Sequence, residues 1–262
     1  MERRRLKTIL ILILALLNGF LVFHLAHRHA AETAAARLAE TRLAELFAAD
    51  GVTLGPGVFS RETPPDAVLL LRDEAREDTV AAFFLGRGGE RLRQGSTRWI
   101  QTGNASAWFR ADGTFSVTGL DVREGTEDLC RRFCRTWSYE APDFNGGEDV
   151  SVRAKYGEYL VYDCSVTFRF EEGVLREVFG TLLPGTGVPV TRETPFLGAA
   201  GALAAFQTIR QETRAVASAV TGVSLCYSLR TDGELSLIPA WRIATDTVDY
   251  FVRCDDGAVS AG

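Results

Sequence analysis

The sequence predicts an α+β protein: an N-terminal transmembrane helix and stalk, followed by helices packed on antiparallel β-sheets. Three observations carry this. An uncharged run, Thr8–Ala26, follows Arg3, Arg4, Arg5 and Lys7. Three acid–glycine pairs, Asp112-Gly113, Glu172-Gly173 and Asp232-Gly233, fall sixty residues apart. Each is preceded by a helix-like stretch, over Glu74–Leu85, Glu124–Trp137 and Leu197–Val220.

The apolar run is just long enough, at ~1.5 Å per residue, to cross a hydrocarbon core of ~30 Å. The basic residues ahead of it place 1–7 in the cytoplasm and the remainder outside, so a single-pass cell-membrane protein is expected. A cleaved signal peptide is the competing reading, with Ala30, Ala31 and Ala34–Ala36 near the cleavage position, but signal cores run ~7–15 residues and this one is longer. Residues 27–50 read as a juxtamembrane stalk, because Ala36, Ala39, Leu43 and Leu46 recur at spacings of three and four. Gly51, Gly55, Pro56, Gly57, Pro64 and Pro65 mark 51–66 as a linker. The folded domain is expected over 67–262, with room for two subdomains dividing near 120–150. Each acid–glycine pair reads as a hairpin turn, since glycine accepts positive φ without a steric cost.

Composition narrows function. The chain has 262 residues, 46% apolar, and a formal net charge of −5. Removing the basic N-terminus leaves the rest near −8, which argues against nucleic acid, because phosphate binding needs a basic face. Protein or small-molecule partners remain. The five cysteines, at 130, 134, 164, 226 and 254, are too dispersed for a disulfide framework. An odd number leaves at least one unpaired, and buried thiols acting as small apolar residues are expected, with one tertiary disulfide left open. Cys130 and Cys134 lack the second ligand pair of a zinc site.

All three histidines, His24, His27 and His29, precede the folded domain. That excludes Ser-His-Asp and Cys-His catalysis and HExxH zinc chemistry there. Asp143–Asp149 begins like a calcium loop, but Glu148 and Ala154 stand where glycine and glutamate are needed. Gly86-Arg-Gly88-Gly89 has Arg91 in place of the third glycine of a dinucleotide fingerprint. No carboxylate pair is singled out for glycosidic chemistry. Trp99, Trp108, Trp137 and Trp241 fit core positions better than a ligand groove. No catalytic, cofactor or metal residue is assigned.

Two stretches resemble the YycH/YycI family. Lys7–Asn18 is similar to the opening of that family's span, and Leu237–Asp246 with Tyr250–Val252 is similar to its Pro-x-Trp-Arg-Ile strand and hairpin partner, through Pro239, Trp241, Arg242 and Ile243. Residues from Gly86 to Gly201 carry no matching motif. The resemblance implies a YycI/PepSY-like ectodomain. It also implies a non-enzymatic regulator, acting with a YycH-like membrane protein on a sensor histidine kinase of a cell-wall two-component system. Ala15 and Gly19, four apart, would let two helices approach closely, and Asn18 would add an interhelical amide. The alternative is an extracytoplasmic peptide- or glycan-binding module. A wall hydrolase using two carboxylates is a third reading, distinguished by an acid-lined cleft.

Overall fold

The computed structural model describes residues 2–144, 147–192, 194–213 and 216–262. The side chains of 2–13, Ala15, 25–26 and 29–32 lie outside the description, as does Asn145 of the calcium-like loop. The chain divides into two compact units, Met1–Leu54 and Gly55–Gly262.

The first unit is one helix, α1 (Glu2–Ala49), and a two-residue strand, β1 (Thr53–Leu54). Alanine and leucine favour the helix. It ends where Gly51 takes φ +73° and the Val52 amide donates back to the Phe47 carbonyl at 2.8 Å. Here the expected topology fails. Among the described residues no helix is long and apolar enough to cross a membrane. Thr8–Ala26 is one section of a 48-residue helix, carries Asn18 and His24 within it, and is followed by His27 and Arg28. The transmembrane span, the single-pass cell-membrane location and the membrane-anchored kinase regulator are all corrected by this finding.

The second unit opens with β2 (Ala67–Leu71), α2 (Glu74–Leu85), β3 (Glu90–Gln94), β4 (Thr97–Thr102), β5 (Ala105–Phe109) and β6 (Thr114–Thr118). Then come α3 (Thr126–Trp137), β7 (Asp149–Tyr156), β8 (Tyr159–Glu171), β9 (Val174–Thr181) and β10 (Thr186–Val190). The chain closes with α4 (Ala199–Thr213), β11 (Ala219–Arg230), β12 (Ser236–Thr245), β13 (Asp249–Arg253) and β14 (Val259–Ala261). The strands join in one sheet ordered β10-β2-β12-β11-β8-β9-β6-β5-β4-β3, with β7 beside β8 and β13 between β12 and β14. β11 meets β8 in parallel at Tyr227 and Val161. The other pairs described within this unit are antiparallel.

The acid–glycine pairs join β5 to β6, β8 to β9 and β11 to β12. Glu172 and Gly173 both take positive φ, 50° and 77°, as a tight hairpin with matching twist requires. Gly180 answers a different demand. With φ +146°, it lies so close to β8 that an added Cβ would stand 2.1 Å from the Ser165 carbonyl oxygen.

α2 has the bounds its pattern predicts. Asp73 caps it by accepting the Arg76 amide at 3.0 Å, and Gly86, φ +79°, ends it. α4 is shorter than expected. Residues 219–220 open β11 instead, because the Ser218 and Ala219 amides are drawn to the Asp246 carboxylate, at 3.0 and 3.1 Å. α2 and α3 cover one face of the β4–β9 region. Phe133 of α3 lies 5.6 Å, edge to face, from Phe168 of β8, and Phe83 of α2 meets Trp137 of α3 at 4.9 Å. Aromatic rings at these distances add about 0.5–1.5 kcal/mol per pair beyond their burial. α4 packs on β12, β13 and β14, with Phe206 4.8 Å from Tyr250. All five cysteines are free and buried.

Candidate binding face

Alternation along β4 decides which side chains meet helices and which meet water. Arg98 and Ile100 point to the helix-covered face and are buried, so Trp99 between them must point away. The same logic turns Ala107 and Phe109 of β5 inward and Trp108 outward. The registers then align one row across the strands: Leu92, Trp99, Trp108, Ser116, Phe179, Thr167 and Ser151 are successive cross-strand partners. With strands ~4.8 Å apart, the row spans about 29 Å.

The β3–β5 end of this row is apolar and the most open, while Ser116 at its centre is buried. Trp99 and Trp108 stand with ring centroids 6.4 Å apart at 47°, and Trp99 is 38% exposed. Leu92 beyond them is exposed as well. The Arg110 guanidinium carbon lies 4.9 Å from the Trp108 centroid, and that of Arg169 lies 4.7 Å from Phe179, within cation–π range. Polar groups flank the rings. Ser106 and Thr118 hydroxyls are 3.2 Å apart, those of Ser151 and Thr167 2.7 Å apart, and Ser116 donates to Glu177 at 3.1 Å. Arg169 bridges Asp149 at 3.2 Å and Glu177 at 3.0 Å. Both carboxylates are thus engaged by a guanidinium.

Indoles left facing water sacrifice burial free energy of about 25 cal/mol per Å² of apolar surface, and a contiguous apolar strip framed by polar groups marks a contact surface. Its backbone groups are paired within the sheet except along the outer edge of β3, the end strand, for which β4 is the one partner among the described residues. Trp137 and Trp241, by contrast, are core: they are 5% and 0% exposed. The sequence named all four tryptophans and gave them to the core. For Trp99 and Trp108 the usable signal was their phase against Ala107 and Phe109, but Arg98 confused it by occupying the buried side. Leu92, Arg110, Arg169 and Phe179 were not singled out.

The resemblance-derived residues have other places. Pro239, Trp241, Arg242 and Ile243 lie in β12, paired with β13 at Trp241–Val252, Arg242–Phe251 and Ile243–Tyr250. Trp241 is buried and donates its indole N–H to the Leu197 carbonyl at 2.8 Å, while Arg242 pairs with Asp249 at 2.7 Å. These residues build a hairpin core. Asn18 and Gly19 lie exposed on α1, and no atom comes within 4 Å of a Cβ placed at Gly19. Ala15 falls among the side chains outside the description. Among the described residues no group of three His, Cys, Asp or Glu is placed to hold a metal ion.

No family model matches the chain, and no curated protein matches it. Among solved structures, an uncharacterized protein from Eubacterium rectale ATCC 33656 is similar with a TM-score of 0.46 and 9% identity, over 75% of this chain and 85% of that one. The Bacillus megaterium YpeB C-terminal domain is similar with a TM-score of 0.35 and 9% identity, over 74% of this chain and 98% of that one. The likeness is distant and of fold alone, and it does not show membership of the YycH/YycI family.

Proposed function

We propose that this chain is a non-enzymatic binding module whose open sheet face, centred on Trp99 and Trp108, holds a glycan chain. The tryptophan pair, Trp99 exposed and Trp108 half-buried beside it, carries the reading. A peptide adding to the sheet would use the outer edge of β3 and its free backbone groups, whereas the face itself offers rings and hydroxyls. Sugar C–H faces stack on rings, and sugar hydroxyls exchange hydrogen bonds with serine, threonine and arginine side chains such as those framing the row.

Tryptophan fluorescence tests it directly. Titration with soluble wall-type and plant-type oligosaccharides should give a saturable change that Trp99→Ala and Trp108→Ala abolish while far-UV circular dichroism is kept. If extended peptides saturate the signal and oligosaccharides do not, the ligand class is wrong. If neither does, the face is not a binding surface.

A further inference from the structure

Two arginines lie over aromatic rings of the open row, and their surroundings differ. Arg169 lies 4.7 Å from the Phe179 centroid, and its guanidinium is taken by Asp149 at 3.2 Å and Glu177 at 3.0 Å. Arg110 lies 4.9 Å from the Trp108 centroid, and among the described residues no hydrogen bond or ion pair holds its guanidinium. The acid in its field is Asp112, whose Oδ1 accepts the Thr114 amide and hydroxyl instead, at 2.9 and 2.6 Å.

The strand explains where Arg110 sits. It follows β5 directly, two residues beyond Trp108, so alternation keeps both on the open face while Phe109 between them is buried on the other. Trp108 is half-buried, which leaves Trp99 as the more open ring. The Arg110 guanidinium carbon is no further from the Trp99 centroid than 4.9 and 6.4 Å laid end to end. The registers put Glu90, Glu177, Arg169 and Asp149 on the opposite flank of the tryptophan row. That flank carries three acids and one cation, so a negative group on a ligand is turned away from it and toward Arg110. A guanidinium lying over an indole keeps its N–H groups for a planar carboxylate, which it binds through two hydrogen bonds.

We infer that the ligand of this face is an acidic glycan, and that Arg110 selects it by pairing with the carboxylate of a sugar stacked at or next to Trp99. This rests on the glycan reading above and narrows it. Calorimetric titration of the full chain at fixed ionic strength, with two matched pairs of oligosaccharides, tests it. One pair is tetragalacturonate and its methyl ester. The other is the tetrasaccharide of alternating N-acetylglucosamine and N-acetylmuramic acid, set against chitotetraose. In at least one pair the acidic member should bind about tenfold tighter than its neutral mate, the scale of a charge-assisted hydrogen bond, and which pair it is tells a plant-type from a wall-type source. Arg110→Gln should bring that ratio to about one, with far-UV circular dichroism kept because Arg110 is exposed. Arg110→Lys should keep only part of the preference, since an ammonium lacks the fork. Acidic and neutral members binding equally well would overturn the inference and leave the glycan reading standing, whereas saturation by no oligosaccharide would overturn both. A preference that survives in Arg110→Gln would take the carboxylate away from Arg110 and overturn the assignment.

Discussion

Arg98 of β4 and Glu77 of α2 meet at 2.8 Å, with both side chains about nine-tenths buried. Arg98 also bonds Asp78 at 2.8 Å and the Glu74 carbonyl at 2.9 Å. Burial alone would lower the Arg98 pKa, but the hydrogen bonds and charges of Glu77 and Asp78 outweigh it and hold the guanidinium above its usual value. Because neighbouring residues on a strand face opposite ways, pinning Arg98 to α2 also holds Trp99 toward water.

Removing Arg98 leaves Glu77 held by Arg72 but takes from Asp78 its 2.8 Å partner. Arg98→Ala should destabilise the protein by about 1.5–3 kcal/mol, as for a lost hydrogen bond to a charged group, whereas Glu77→Leu should cost more, because both Arg98 and Arg72 then lose that carboxylate. Urea unfolding of the two variants checks this. Equal losses would show that packing, not charge, sets the stability there.

Trp99→Ala and Trp108→Ala should separate binding from folding. Each removes a cross-strand ring contact, a loss of about 1 kcal/mol of stability, while a central aromatic contact contributes about 2 kcal/mol to binding, roughly thirtyfold in Kd. Calorimetric titration with an oligosaccharide that saturates the wild type measures the second, and thermal melts the first. A fall in stability with unchanged affinity would assign the pair to the fold alone.

The cysteines should be inert in the native state. Burial pushes the thiols of Cys130, Cys134, Cys226 and Cys254 up to about 12 and that of Cys164 higher still, so almost no thiolate exists near pH 8. Iodoacetamide at that pH should leave all five unmodified until denaturant is added, as read by intact mass. Rapid labelling of one cysteine in native protein would mark a locally open element.

The turn before Thr114 should respond to acid. Burial would raise the Asp112 pKa, but its hydrogen bonds from the Thr114 amide and hydroxyl, at 2.9 and 2.6 Å, and the Arg110 charge hold it below the usual carboxylate value. A depressed folded pKa means that the unfolded chain binds the proton first. The stability Asp112 contributes is therefore present above the ordinary carboxylate value near 3.8 and is lost as pH falls through the lower folded one. Asp112→Asn should flatten that acid limb of the stability curve, measured by urea midpoints from neutral pH downward. An unchanged limb would remove Asp112 as its source.

Much of the architecture was legible along the chain because it depends on local rules. Asp73 and Gly86 bound α2 by capping chemistry, and Asp112-Gly113 and Glu172-Gly173 announce hairpins through the φ freedom of glycine. The resemblance in 237–252 pointed to a strand pair, which is where β12 and β13 lie. Thr8–Ala26 misled because an uncharged run is not by itself a span: Asn18 and His24 lie within it, and among the described residues no helix is long and apolar enough to cross a membrane. The end of α4 misled because Asp246, far away in sequence, takes the amides that open β11.

What the sequence determined by itself is therefore the class and its punctuation: helices and hairpin strands in alternation, a histidine-free folded domain, and the absence of a nucleic-acid-binding charge balance. Which face each residue serves was decided only by tertiary structure. Trp99 and Trp241 are the same residue type on strands of mixed pattern, yet one stands exposed beside Trp108 and the other is fully buried, its indole N–H donated to the Leu197 carbonyl. Period-two alternation fixes that Arg98 and Trp99 oppose each other, but not which of them faces α2. That choice belongs to Glu77 and Asp78, whose carboxylates make burial of an arginine cheaper than leaving their own charges unpaired.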